Sequence, residues 1–284
     1  MNKINKKKFI IIAIPVILIL LAVLINAIYC ENTIETTKYT LTSKKIKTDL
    51  SFVLISDLHN KEFGADNKRL ISTIKKQAPD FIAVAGDMVV QENQDISIFK
   101  NLLTELKDIA PTYFCYGNHE LALRDKIDFK SEINSTGALL LDNEYITFKK
   151  NNETFLIGGL SDFPYYEFNA PNFDTPEKHF WESFNEKSEH QYTILLHHQP
   201  EYIADIAKNS NIDLILCGHT HGGIVRLPFI GGLKAPNQSF PPKYDKGQYS
   251  LNHTEMIISS GLGNSYNLPR INNCAEICII DIKH

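Results

Sequence analysis

The chain has 284 residues, 43% hydrophobic and 22% charged, which is the balance of a globular protein long enough to bury a sizeable core. Its formal net charge of -4 gives no support to nucleic-acid wrapping, which needs a strongly basic face. The five cysteines, an odd number without close pairing, do not read as a disulfide framework. Cys115 and Cys217 lie in apolar runs and read as small buried hydrophobes, while Cys274 and Cys278 are too far apart along one strand to bridge each other. The cysteines therefore leave the cellular compartment open.

Residues 1–8 are basic, with Lys3, Lys6, Lys7 and Lys8, and residues 9–29, from Phe9 to Tyr29, carry no charge. A helix needs about 20 apolar residues to cross a bilayer. A cleaved signal peptide competes for the same segment, but its apolar part is usually ~7–15 residues and ends at small side chains. Here the exit reads NAIYCEN, with bulky Ile28 and Tyr29 before Cys30. The expectation is a retained single-pass anchor in the cell membrane. The lysines keep its N-terminus cytoplasmic, and everything after Tyr29 faces outward. Residues 30–49, polar and rich in Thr and Lys, read as a juxtamembrane linker running into a first strand; residues 50–284 read as one folded domain.

Within that domain short apolar runs alternate with helical patterns. SFVLIS (Ser51–Ser56), DFIAVAG (Asp80–Gly86) and TYFCYG (Thr112–Gly117) are strand candidates, separated by helix candidates at Asn67–Ala78 and Ile96–Ile109. ALLL, YITF and TFLIGGL follow as short strands, then an irregular aromatic stretch from Phe163 to Phe173, then a helix at Pro176–Lys187. The aromatic stretch reads as packing, or as a loop that covers substrate or faces lipid. YTILLH and IDLILCG flank a helix beginning at Pro200, and MIISSG and AEICIIDI close the chain as strands. Runs of four to seven apolar residues bounded by Gly, Pro or Asp mark strands buried on both faces. Their alternation with helices predicts an α/β fold with central sheets and helices outside.

Five segments follow directly on such strands: Ser56-Asp57-Leu58-His59, Gly86-Asp87, Gly117-Asn118-His119-Glu120, His197-His198-Gln199-Pro200 and Gly218-His219-Thr220-His221. Ligands bind beyond the carboxyl ends of strands in α/β sheets, so five strand ends would bring Asp, His and Asn to one edge. The glycines at 86, 117 and 218 are expected to let the backbone turn there. Carboxylate, neutral imidazole and amide oxygen, with no thiolate, suit divalent Mn, Fe, Zn, Ni or Co. So many donors can hold two ions, which in two-metal hydrolases sit ~3.5–4 Å apart and clamp the attacking and leaving oxygens.

The ordered set D-x-H, G-D, G-N-H-E, H-x-P and G-H-T-H resembles the signature of the calcineurin-like metallophosphoesterases, over roughly Leu50 to Ile282. The run Gly218–Gln238, with NLPRINN near the end, is similar to a branch of bacterial membrane-anchored phosphodiesterases, some like UDP-2,3-diacylglucosamine hydrolases. The resemblance implies a four-layer α/β/β/α sandwich. It implies Asp57, His59, Asp87 and His221 on a first metal, Asp87, Asn118, His198 and His219 on a second, and His119 as a catalytic non-ligand. His197 and His198 compete for one position, and the family pattern, through Pro200, selects His198. Glu120 stands where Asp is also common.

Arg226 and Arg270 are candidate binders of a substrate phosphate, with an ordinary salt bridge as the alternative. His179, His190, His253 and His284 fall outside the segments and read as surface or structural. The implied reaction is hydrolysis of a phosphodiester or pyrophosphate, such as a nucleotide-lipid or cell-envelope substrate, by a hydroxide bridging two metals. A phosphomonoesterase or protein phosphatase is the runner-up, and a catalytically silent metal-containing binding module is the reading from a different class. Nothing marks an obligate protein partner.

Overall fold

The apolar run near the start forms one helix, α1 (Lys3–Asn32), in the computed structural model, which describes residues 3–161, 174–265 and 268–284. Between Ile10 and Ile25 its large side chains stand mostly exposed, whereas Ala27 and Cys30 are buried. The expected linker at residues 30–49 is largely regular structure instead. The helix runs on to Asn32, and β1 (Ile34–Thr42) pairs in parallel with β14 (Ala275–Lys283) at a sheet edge. The run IETTKYTLT is rich in β-branched and aromatic residues that favour strands, but most of it stays exposed or half-exposed, so no apolar run announces it.

Two six-stranded sheets follow. The first has the order β1, β14, β2 (Leu50–Ile55), β3 (Ile82–Ala85), β4 (Thr112–Cys115), β5 (Leu139–Leu140). The second has the order β12 (Gly247–Leu251), β13 (Thr254–Ile258), β9 (Leu214–Cys217), β8 (Thr193–Leu196), β7 (Glu153–Gly159), β6 (Glu144–Lys150). A small hairpin, β10 (Arg226–Leu227) with β11 (Gly231–Gly232), stands apart from both.

Alternation along each strand decides the layering. Phe52 and Leu54 of β2 face Ile157, Ile194 and Leu214 of the second sheet, while Val53 and Ile55 face the helices α2 (Lys68–Lys75) and α3 (Ser97–Leu106). On the far side of the second sheet, Leu195 and Ile215 pack on Phe180, Phe184 and Ile203 of α6 (Pro176–Lys187) and α7 (Pro200–Ala207). Each such side chain contributes roughly 1.5–3 kcal/mol on leaving water. The result is a four-layer α/β/β/α sandwich. The short helices α4 (Asn118–Leu121) and α5 (Phe129–Asn134) complete the first helical layer. The aromatic stretch Phe163–Phe173 lies outside the described residues.

Candidate metal centre

The carboxyl ends of β2, β3, β4, β8 and β9 come together where the two sheets meet, and the turns that leave them are locked to one another. The Asp57 N–H donates to Gly86 O at 3.0 Å, His59 N–H to Asp87 O at 3.2 Å, and His119 N–H to Asp87 Oδ1 at 2.9 Å. The N–H of His219 donates to Asp57 Oδ1 at 3.0 Å across the two sheets. Asp57, His59, Asp87, His219 and His221 all sit in the left-handed region, with φ between 48° and 71°. That conformation is uncommon for residues other than glycine and costs of order 1–3 kcal/mol each, so the surrounding bonds must hold it. Such outliers concentrate at functional sites.

Of the three expected turn glycines, only Gly86 has positive φ, at 78°. Gly117 has φ -102°, and what it needs is room: a Cβ there would lie 2.2 Å from Asp87 Oδ1. Gly218 is likewise a close approach, with a Cβ position 2.5 Å from Asp57 Oδ2.

The side chains form overlapping groups. Ligand atoms of Asp57, His59 and His221 lie within 4.8 Å of one another, as do those of Asp87, His198 and His219. A third group, His59, Asp87 and His119, joins the first two. Asn118 Oδ1 and both ring nitrogens of His59 are buried without a hydrogen-bond partner. Native proteins rarely leave such atoms unsatisfied. Converging lone pairs of carboxylate, imidazole and amide oxygen fit divalent metal ions, and that is the chemistry this donor set supports.

Charge agrees. Burial raises the Asp87 carboxyl, but the His198 charge beside it, with Nε2 3.0 Å from Asp87 Oδ2, outweighs burial and holds it well below the usual carboxylate range. The same pairing overcomes burial at His198 and pushes the imidazole up to about 10. Burial lowers His59, and burial followed by the His59 charge lowers His221 well below its ordinary value. Both are thereby kept as neutral rings, the form in which histidine binds metal.

Of the adjacent pair, His198 faces the cluster, with its Nδ1 2.7 Å from Ala85 O. His197 faces away, with its Nδ1 2.9 Å from Leu160 O, and burial pushes it down to about 4. His119 stands at the rim. Its Nδ1 accepts the Gln91 N–H at 3.0 Å, which leaves the ring proton on Nε2, 3.9 Å from Asp87 Oδ2.

Neither arginine lines the cleft that opens on the cluster. Arg226 Nη1 lies 2.8 Å from Asp245 Oδ2 and donates to Gly222 O, so its charge is already paired. Arg270 is fully buried and donates to Gly263 O and Ser260 O, with Nη2 3.4 Å from His221 Nδ1. It lies behind His221 and does not line the cleft.

The roles of three residues escape the sequence reading. The buried Glu120 carboxylate accepts N–H groups of Asp87, Met88, Val89 and Gly117. Glu201 Oε1 lies 3.2 Å from His219 Nε2. Ser265 Oγ lies 3.1 Å from His221 Nε2. Glu120 ends the G-N-H-E motif and Glu201 directly follows Pro200, so both carry a local signal; Ser265 carries none. A cleft of about 340 Å³ opens on the cluster, lined by Asp87, Asn118, His119, Gln199, His219, His221, Pro236, Asn237 and Ser265.

A family profile described as calcineurin-like phosphoesterase matches residues 50–223. The Bacillus subtilis (strain 168) protein called "Uncharacterized protein YpbG" is 28% identical over 233 residues, covering 82% of this chain and 80% of its own. "Phosphodiesterase YaeI" of Escherichia coli (strain K12) is 27% identical over 218 residues, covering 73% and 72%. Among solved structures, TT1561 of Thermus thermophilus superposes with a TM-score of 0.50 at 10% identity, covering 75% of this chain and 90% of that one, a likeness of fold alone.

Proposed function

This chain belongs to the calcineurin-like phosphoesterase family and is a metal-dependent phosphoester hydrolase, and from that premise we propose that it is a membrane-anchored, two-metal phosphodiesterase or pyrophosphatase acting outside the cytoplasm. Asp57, His59, Asp87 and His221 would hold one ion. Asp87, Asn118, His198 and His219 would hold the other, with Asp87 serving both. Divalent ions bound there supply Lewis acidity toward phosphoryl oxygens and bring the pKa of water towards neutrality.

The protein's own side chains do the rest. His119 presents Nε2–H at the cleft and donates a hydrogen bond to a phosphoryl oxygen, because the Gln91 amide occupies its other nitrogen. Glu201 keeps the His219 ring in place. Gln199, Asn237 and Ser265 offer neutral polar contacts at the cleft wall.

The observation that carries the diester reading is that the cleft, among the described residues, is lined by neither lysine nor arginine. A dianionic monoester would enter such a wall with less compensation than a monoanionic diester. The substrate that fits this wall best is a phosphodiester, such as a cell-envelope molecule; a nucleotide-lipid pyrophosphate, with two charges but only one on each phosphorus, is the second reading. The test is turnover of bis-p-nitrophenyl phosphate against p-nitrophenyl phosphate by the full chain in detergent, metal-stripped and then supplied with Mn²⁺. Faster turnover of the diester is expected. Faster turnover of the monoester would make the protein a phosphomonoesterase.

The anchor reading is supported by the span Ile10–Asn32, which is long and apolar enough to cross a membrane and is almost entirely exposed. The last turns of α1 are built into the domain. Ala27 and Cys30 are buried, the Asn272 N–H donates to Asn26 Oδ1, and Cys30 is disulfide-bonded to Cys274. Removal of the segment as a signal would strip those contacts, and a disulfide suits an oxidising compartment. Protease added outside intact cells should digest the domain. A soluble product beginning near Glu31 would show a cleaved signal instead.

A further inference from the structure

The hairpin β10–β11 ends in a three-residue tip, Pro228-Phe229-Ile230, that the fold does not require to be apolar. Phe229 has φ 68°, a left-handed conformation that a bulky side chain rarely adopts, and its side chain is 109% exposed. Ile230 and Leu227 beside it are 53% and 42% exposed. Glycine or asparagine would make this turn at less conformational cost, and an aromatic ring in water adds nothing to folding stability.

What covers the tip follows from where the hairpin starts. The Asn272 N–H donates to Asn26 Oδ1 of α1 at 2.6 Å, and Asn272 Nδ2 donates to Arg226 O at 3.3 Å. Val225 bridges Ile271 on the same short segment. The first residue of the hairpin is therefore level with Asn26, inside the uncharged run of the anchor. Asn26 precedes the helix end at Asn32 by about 9 Å of rise. Leu268, 50% exposed, lies two residues before Arg270, whose N–H donates to Glu31 Oε1 at the end of the same helix.

We propose that the hairpin is a second membrane contact, with Phe229 and Ile230 seated in the interfacial layer of the leaflet from which α1 emerges. The proposal rests on the anchored reading above. It has a consequence for the metal centre, because Arg226 bonds to Gly222 O next to His221, and Ser265 of the cleft wall is three residues from Leu268. The cleft is held beside lipid headgroups, and the substrate class is a phosphoester presented at a membrane surface.

Depth quenching in liposomes that carry lipids spin-labelled near the headgroup tests this. Single cysteines at Phe229, at Leu20 in the middle of α1, and at Lys44 are labelled with a fluorophore in the full chain. Lys44 lies past the far end of β1, a nine-residue strand that leads roughly 30 Å away from the anchor. The free cysteines Cys115, Cys217 and Cys278 are buried and should not compete for label. Turnover of bis-p-nitrophenyl phosphate unchanged from the parent chain shows that each variant is folded. The F229C label should be quenched at least threefold more than the K44C label. If L20C is quenched by lipids labelled at the mid-chain while F229C is no more quenched than K44C, the hairpin does not touch the bilayer, and the proposal fails with the anchor intact. A tip that docks another protein gives that same result. If L20C is not quenched either, the anchored reading itself is wrong, and the proposal falls with it.

Discussion

Asp87 meets both halves of the centre, with Oδ2 3.0 Å from His198 Nε2 and 4.0 Å from His59 Nε2. If one carboxylate serves two ions, its loss must cost metal as well as rate. Asp87→Asn should lower both bound metal, read by elemental analysis, and turnover; full occupancy with reduced rate would remove the shared-ligand role. His119 differs, because its Nδ1 is already taken by the Gln91 amide. His119→Ala should keep both ions and lose ~10²–10⁴-fold in turnover, the usual contribution of a group acting in proton transfer or charge stabilisation. A ring held with its proton on Nε2 stabilises phosphoryl charge, so the loss should be similar for p-nitrophenol and for a poor leaving group. Loss of a metal in this variant would make His119 a ligand.

The Asp87–His198 pair also sets a proton balance. The His198 imidazole, pushed up to about 10 by Asp87 against burial, is protonated near pH 7 in the metal-free protein. A ligand nitrogen must be neutral, so metal uptake expels that proton and affinity rises with pH, by up to about tenfold per unit for each proton released. Calorimetry at pH 7 in buffers of different ionisation enthalpy should show close to one proton released by this pair. A buffer-independent heat would mean that no proton leaves.

Two elements carry the centre's geometry through one side chain. The turn after β3 and the start of α4 are tied by Glu120, whose carboxylate takes the N–H groups of Asp87, Met88, Val89 and Gly117 at 2.7–3.1 Å. Burial, then the Asp87 charge, pushes this carboxyl up to about 7, and the Gly117 and Asp87 N–H groups pull in the other direction. Glu120→Gln keeps the shape but turns an amide NH2 towards backbone N–H donors. It should cost about 1.5–3 kcal/mol, the range for hydrogen bonds to a charged group, seen as a lower denaturant midpoint. It should also weaken metal binding, because Asp87 sits on the same turn; an unchanged midpoint would show that the tie does not hold the turn. Strands such as β3 and β9 were legible because residues buried on both faces leave unbroken apolar runs. The edge strand β1 leaves no such run, because most of its residues are exposed to solvent.

At the scale of the whole molecule, α1 is cross-linked to the last strand region of the domain. Cys30 and Cys274 are 244 residues apart in sequence and are joined next to the segment that carries Asn273, whose Nδ2 donates to His221 O at 2.6 Å. Non-reducing digestion of the purified chain should yield a peptide linking Cys30 to Cys274, and recovery of both as free thiols would overturn the pairing. Cys30→Ser should destabilise the domain by roughly 2–4 kcal/mol, the usual worth of a disulfide, read as a lower thermal midpoint that reductant does not lower further.

The chain's own order of residues was enough for the anchor candidate, the alternating α/β plan and the cluster of Asp, Asn and His at strand ends, because each is written in contiguous residues. A strand needs a handful of apolar side chains, and each motif is the turn that follows it. Which of His197 and His198 faces the cluster could be taken from a family pattern but not from the pair itself, since both end the same buried strand. Only the tertiary structure decided that Arg226 is paired with Asp245, that Arg270 is buried behind His221, and that Cys30 reaches Cys274. These are contacts between distant segments, and they arise when two sheets close on one core. A side chain's chemistry is local, but its exposure and its partner are set by whatever the rest of the chain packs against it.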